Sequence, residues 1–139
     1  MAQEQPQKAL PASRPTLDQR RAKHAWEAVQ RAKKCSDPKK FGGQARKLPT
    51  RIMASGLGHA LAFIKAKGYA PELLRAIGEW VLDKRQNPQS RKPPPEDDAL
   101  IKAIIGGDSD FLRRATDEAL AYLQWLNRFA EAEGLTEEA

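Results

Sequence analysis

The sequence predicts an all-α fold, a compact single-domain bundle of five to six helices, on three observations. Apolar residues recur at three- and four-residue spacing in five segments, and Pro and Gly punctuate those segments. Nowhere do apolar and polar residues alternate as they do along a half-buried strand, and no Asn-Gly hairpin signal or internal repeat competes. With 139 residues, 40% hydrophobic and 30% charged, the chain has the size and composition of one packed core.

Residues 1–15 contain Pro6, Pro11 and Pro15 and little apolar surface, so they cannot repay the entropy of ordering and read as a disordered tail. A helical domain follows over 16–134. Thr16 or Ser13 can cap its first helix, in which Ala22, Ala25, Trp26, Val29 and Ala32 keep helical spacing. Ser36-Asp37-Pro38 ends that helix, with Cys35 read as one of its face residues. Phe41-Gly42-Gly43 predicts a break, Gln44–Leu48 is a candidate extra turn, and Pro49 suits the first turn of a second helix. Ile52, Met53, Leu57, Ala60, Leu61, Phe63 and Ile64 form a wide apolar stripe that stops at Gly68. The opposite side carries the small residues Ser55, Gly58 and Ala62 flanked by the cations Arg51 and Lys65, which suits a close approach by a ligand or a neighbouring helix.

Pro71 opens a third helix with Leu73, Leu74, Ile77, Trp80 and Val81 inward, ending near Arg85. Residues 86–95 (QNPQSRKPPP) hold four prolines in ten positions and predict an exposed, extended loop. Glu96-Asp97-Asp98 places negative charge at the start of a short fourth helix, whose buried face is Leu100, Ile101, Ile104 and Ile105 and whose stop is Gly106-Gly107. Asp108, Ser109 or Asp110 caps the last helix, with Phe111, Leu112, Ala115, Ala119, Tyr122, Leu123, Leu126, Phe129 and Ala130 as its stripe. Gly134 stops it, leaving 135–139 as a C-terminal tail.

Charge is divided along the chain. Residues 1–92 carry 20 Lys/Arg against 7 Asp/Glu, net +13, and residues 93–139 carry 4 against 11, net −7, which together give the formal +6. A split of this kind predicts a polyanionic partner for the first part and an acidic surface that can meet a basic one in the second. On a helical wheel Arg20, Lys23, Arg31 and Lys34 fall opposite the apolar side of the first helix, and Lys39, Lys40, Arg46, Lys47 and Arg51 follow. Residues 14–51 thus hold 12 basic against 3 acidic side chains. A charged face is often no more than a solvated one, but a single-sign patch costs self-repulsion, whereas phosphates repay it by counterion release. These nine cations are the candidate residues for binding a phosphate backbone, RNA or another polyanion. Phe41 is the only aromatic within the patch, so base-specific readout has little support. Leu120, on the polar side of the last helix, and Trp125, at the edge of its stripe, are candidate subunit contacts.

No catalytic, metal or cofactor residues are assigned. His24, placed on the basic face, and His59 have no sequence signal pairing them to a nucleophile. Asp97-Asp98 and Asp108-x-Asp110 sit where helix starts attract carboxylates and lack a calcium-loop spacing, and Gly56-Leu57-Gly58 lacks the frame of a dinucleotide loop. Cys35 is the sole cysteine, which excludes an internal disulfide. No stretch reaches the roughly 18–20 apolar residues of a membrane span and the N-terminus lacks the apolar block of a signal peptide, so a cytoplasmic location is expected.

The segment KLPTRIMASGLGHALAFIKAKG (Lys47 to Gly68) resembles the signature of the small subunit of the type III-B, or Cmr, CRISPR RNA-guided effector complex. ATDEALAYLQWLNRFAEAE (Ala115 to Glu133) resembles that family's second block, and with the basic first helix the likeness spans roughly residues 16 to 133. By position Lys47, Arg51 and Lys67 match cations of the first block, and Glu118, Leu120, Tyr122, Trp125, Arg128 and Phe129 match the second. The resemblance implies an all-helical, non-catalytic subunit that stacks in several copies as an inner filament. It implies other Cmr subunits (backbone and large), further copies of itself and guide and target RNA as partners, and no small-molecule substrate. The chain departs from the pattern at Phe41, where a tyrosine is usual, at His59, where a glutamine is common, and at the 86–95 loop, which has no counterpart. The competing reading is a free-standing helical DNA-binding regulator with a helix-turn-helix.

Overall fold

The computed structural model describes residues 13–136, and its regular structure is entirely helical. Most of the 1–15 tail and residues 137–139 lie outside the described residues. Thr16 caps α1 (Leu17–Ala32) in a reciprocal pair: its hydroxyl accepts from the Gln19 N–H at 3.0 Å, and its own N–H donates to the Gln19 side-chain oxygen at 2.7 Å. Asp37 caps α2 (Pro38–Ser55) by accepting from the Lys40 N–H at 3.1 Å. Cys35 falls in the turn between them and is half-buried, so it is not on a helix face.

The second helix differs most from its sequence reading. Phe41-Gly42-Gly43 is no break, because α2 runs straight through it with Phe41 to Ala45 all buried. Gly42 serves proximity there: a Cβ on it would lie 1.5 Å from the Leu135 carbonyl oxygen, so only glycine lets the C-terminal turn lie on α2. Pro49 is in the helix interior and not its first turn, between Leu48 and Ile52, which anchor the flanking turns in the core and offset the missing donor. The break comes instead at Gly56, with φ +89°, so the predicted helix over 49–68 is the end of α2 plus a separate α3 (Leu57–Lys67). Gly68 ends α3 in the left-handed region.

α4 (Pro71–Glu79) continues without interruption into a π-helical turn, Trp80–Lys84, and buries Leu73, Leu74, Ile77, Trp80 and Val81 as its spacing predicts. The chain then crosses the non-helical, largely exposed residues 86–95. Lys84 Nζ donates to the Ser90 carbonyl at 2.6 Å and Ser90 Oγ to Asp83 at 2.6 Å, which ties this stretch to the π-helical turn. α5 (Ala99–Gly106) buries only Leu100 fully; Ile101 and Ile104 pack partly, and Ile105 points outward at 78% exposure, against expectation. Eight residues touching the bundle along one edge give α5 too narrow a contact to cover four apolar side chains. Its Ile104 occupies the small-residue side of α3, 3.5 Å from where a Gly58 Cβ would stand, and Lys65 pairs with Asp97 at 2.9 Å. The neighbouring helix thus covers the Gly58 position of that side, while Ser55 and Ala62 stay exposed.

Asp108 caps α6 (Ser109–Ala132), which supplies the spine of the core through Ala115, Ala119, Tyr122, Leu123, Leu126 and Ala130. α6 packs chiefly on α1 and α2, and α3, α4 and α5 close the other side. Leu135, assigned to the tail by the sequence, is buried at 7% exposure against α2.

Candidate nucleic-acid interface

The outer side of α1 rests on a polar network between α1, α4 and α6. Arg21 meets Glu118 through Nε and Nη2 at 2.5 and 2.9 Å, while Trp80 Nε1 and Arg85 Nε donate to the same carboxylate at 2.8 and 2.9 Å. Burial drives the Glu118 pKa up, but the bonds from Arg21, Trp80 and Arg85 outweigh it and hold the group below the ordinary glutamate value. His24 is buried beside this hub and is not on the basic face. Glu79 can only accept at 2.8 Å, so His24 Nε2 carries the proton and Nδ1 accepts from the Tyr122 hydroxyl at 2.7 Å. Desolvation lowers the His24 pKa against the pull of Glu79, and burial raises that of Tyr122 well above its usual value.

Above the network lies a groove of about 980 Å³ between α1, the π-helical turn and residues 88–89. Its lining has five cations, Arg14, Arg20, Lys23, Arg31 and Lys84, against the carboxylates of Glu27 and Glu79, the latter engaged by His24. Arg20 is a framework residue of this wall: its Nη2 donates to the carbonyls of Lys84 and Arg85 at 2.9 and 2.7 Å, and its guanidinium lies 5.7 Å from the Trp80 ring centre. The bonds close the last turn of the π-helical segment, whose carbonyls have no helical partner. Lys23 and Arg31 are exposed.

A second cationic surface runs along the seam of α2 and α3. Lys40, Lys47 and Arg51 fall within roughly 40° of one another around α2. Lys40 Nζ lies 4.7 Å from the Tyr69 ring centre, and Arg51 Cζ and Lys67 Nζ lie 4.5 and 5.6 Å from that of Phe63.

With this geometry in view, the comparisons with known proteins decide the family. The model for CRISPR-associated protein (Cas_Cmr5) matches residues 17–133. The chain belongs to the Cmr5 family. It is 32% identical over 116 residues to the CRISPR system Cmr subunit Cmr5 of Thermus thermophilus, covering 80% of this chain and 90% of that one. The X-ray crystal structure of a CRISPR-associated Cmr5 family protein from the same organism superposes with a TM-score of 0.71 at 27% identity, over 88% of this chain and all of the other. The all-helical fold and the family resemblance carried by the Lys47–Gly68 and Ala115–Glu133 blocks both stand.

In this Cmr5-family chain the nine candidate cations do not form one face. Arg20, Lys23 and Arg31 gather at the groove; Lys40, Lys47 and Arg51 gather at the seam; Lys34, Lys39 and Arg46 are exposed and join neither group. Phe41, the one aromatic counted within the patch, is buried at 1% exposure and offers no ring to solvent. Leu120 and Trp125 are half-buried against the core, and Trp125 is occupied within the chain, stacking on Phe129 at 5.6 Å and donating to Asp18 at 3.0 Å. Sequence reasoning missed Arg14 and Lys84 at the groove, and it placed Glu118 in the second family block without seeing its role beneath the groove. A carboxylate within an apolar stripe, at the Ala115–Ala119–Tyr122 spacing, is the signal that marks Glu118.

Proposed function

We propose that this protein is a non-catalytic structural subunit of a type III-B Cmr ribonucleoprotein, which stacks in several copies and helps hold target RNA along the guide. The observation that carries the RNA role is the α1 groove, where exposed Lys23 and Arg31 stand with Arg14 and Lys84 on a wall braced by Arg20. Such a wall suits phosphates and reads no base, so recognition is left to pairing with the guide. Its partners are the backbone and large Cmr subunits, further copies of itself and the guide and target RNA, in the cytoplasm. A free-standing helix-turn-helix regulator is not favoured, because the Cmr5-family match takes in nearly the whole helical region.

The test is target-RNA binding by the assembled complex carrying K23E/R31E. Arg20 is left intact, since its reversal would open the π-helical turn. The double reversal should weaken binding and flatten its salt dependence by roughly 0.7 per lost contact in log–log slope. Unchanged affinity and slope would remove the groove from the RNA path.

Stacking draws on the charge division and on the exposed apolar residues. Ile105 projects from α5 close in sequence to Asp98, Asp108 and Asp110, whereas residues 38–67 contain seven Lys/Arg and no carboxylate. Opposite charges on different elements favour a heterologous contact between copies, which propagates where it does not close.

A further inference from the structure

The α2–α3 hairpin combines one-sided charge with an exposed ring held in place. Residues 38–67 include no Asp or Glu, and their two phenylalanines have opposite fates: Phe41 is in the core, while Phe63 stands 40% exposed. Two cations lie over the Phe63 ring, Arg51 at 4.5 Å and Lys67 at 5.6 Å from its centre. The Arg51 guanidinium is fixed from below, because Nη1 donates at 2.7 Å to the side-chain oxygen of Gln44, itself only 2% exposed. A buried amide that orients a surface arginine over an aromatic ring removes most of the rotamer freedom an arginine normally loses on binding.

We infer that Arg51 and Phe63 form a base-stacking platform for single-stranded RNA, with Lys47 and Lys67 placed to meet the adjoining phosphates. This rests on the RNA reading above and adds a contact of another kind, at a surface separate from the α1 groove. Every base offers a π-face to a planar guanidinium or ring, so the platform grips a strand without reading its sequence. An acidic face of another copy would satisfy the hairpin's charge, but charge alone makes no use of a guanidinium braced by a buried amide over an exposed ring, which a base fills. Tyr69 beneath Lys40 gives the seam a second ring at its other end.

The experiment measures binding of the full-length chain to a single-stranded RNA and to an abasic strand of equal length, by fluorescence anisotropy across a salt series. F63L keeps apolar bulk and removes the π-face; K23E/R31E disables the groove alone. F63L should bind the normal strand about tenfold more weakly, as expected for one lost stacking contact. Its salt slope should stay unchanged, and on the abasic strand it should match wild type. K23E/R31E should instead weaken both strands and lower the slope. If F63L equals wild type on the normal strand, or loses the abasic strand equally, the platform is wrong while the groove can stand. If wild type binds neither strand at low salt, the RNA reading fails and takes the platform with it. If F63L leaves RNA binding intact and abolishes concentration-dependent self-association, the surface is a protein contact and the inference is overturned.

Discussion

Arg21 and Glu118 are joined by two hydrogen bonds, Nε to Oε2 at 2.5 Å and Nη2 to Oε1 at 2.9 Å, across the α1–α6 interface. Trp80 and Arg85 complete the set of donors around that carboxylate. E118Q turns one acceptor oxygen into an NH2 facing these donors and leaves Arg21 without its counter-charge, so it should cost about 3 kcal/mol in chemical denaturation. R85A, which removes a half-exposed partner of the same group, should cost about 1 kcal/mol or less. Equal losses from the two would show that Glu118 is no hub.

His24 makes stability depend on pH near neutrality. Its folded pKa lies below the ordinary 6.5, because desolvation outweighs the attraction of Glu79. Above about pH 7.5 the ring is neutral in both states and contributes no slope. As pH falls through 6.5 the unfolded chain takes up a proton that the buried ring refuses, so stability declines down through the folded pKa. Glu118, held below 4.5, adds its own loss at lower pH, where the unfolded carboxylate protonates first. Melting temperature should therefore fall between about pH 7.5 and 5.5, and H24Q should flatten that segment while starting from a lower plateau.

Gly42 predicts a local effect. Since a Cβ there would overlap the Leu135 carbonyl, G42A must displace the turn at Gly134 and Leu135. Exposure of Leu135 should follow, costing about 2 kcal/mol for the lost side-chain burial. Hydrogen exchange should rise at the end of α6 and on the neighbouring face of α2 with α4 unaffected; a uniform rise would mean the glycine supports the whole fold.

Helical periodicity carried the first, third, fourth and last segments and most of the core because burial follows the apolar stripe wherever a helix packs along its length, as α4 and α6 do. It failed where one position answers a distant one. Gly42 looks like a breaker until Leu135 is laid against it, and Pro49 looks like a helix start until Leu48 and Ile52 are seen anchored on either side. The cations were legible as a group from charge alone, but their division was not. Whether an arginine meets solvent, as Arg31 does, or closes a helix end, as Arg20 does, depends on carbonyls about 65 residues away, and no local pattern encodes that.

Ile105 offers a test of stacking that leaves the fold alone. At 78% exposure it contributes little to the core, so I105K should keep folding stability within about 0.5 kcal/mol of wild type. Under the stacking reading, the wild-type chain should associate with rising concentration in sedimentation velocity, and less so as salt screens its acidic and basic surfaces over a Debye length. I105K places a cation where that reading brings the α2–α3 cations of the next copy, and it should stay monomeric at every salt concentration. I105D removes the same apolar contact while adding the complementary sign. It should recover part of the association at low salt and lose it at high salt, a pattern that a purely apolar contact cannot produce. If both variants associate as wild type does, Ile105 lies outside the contact, and the acidic end of the molecule faces another subunit.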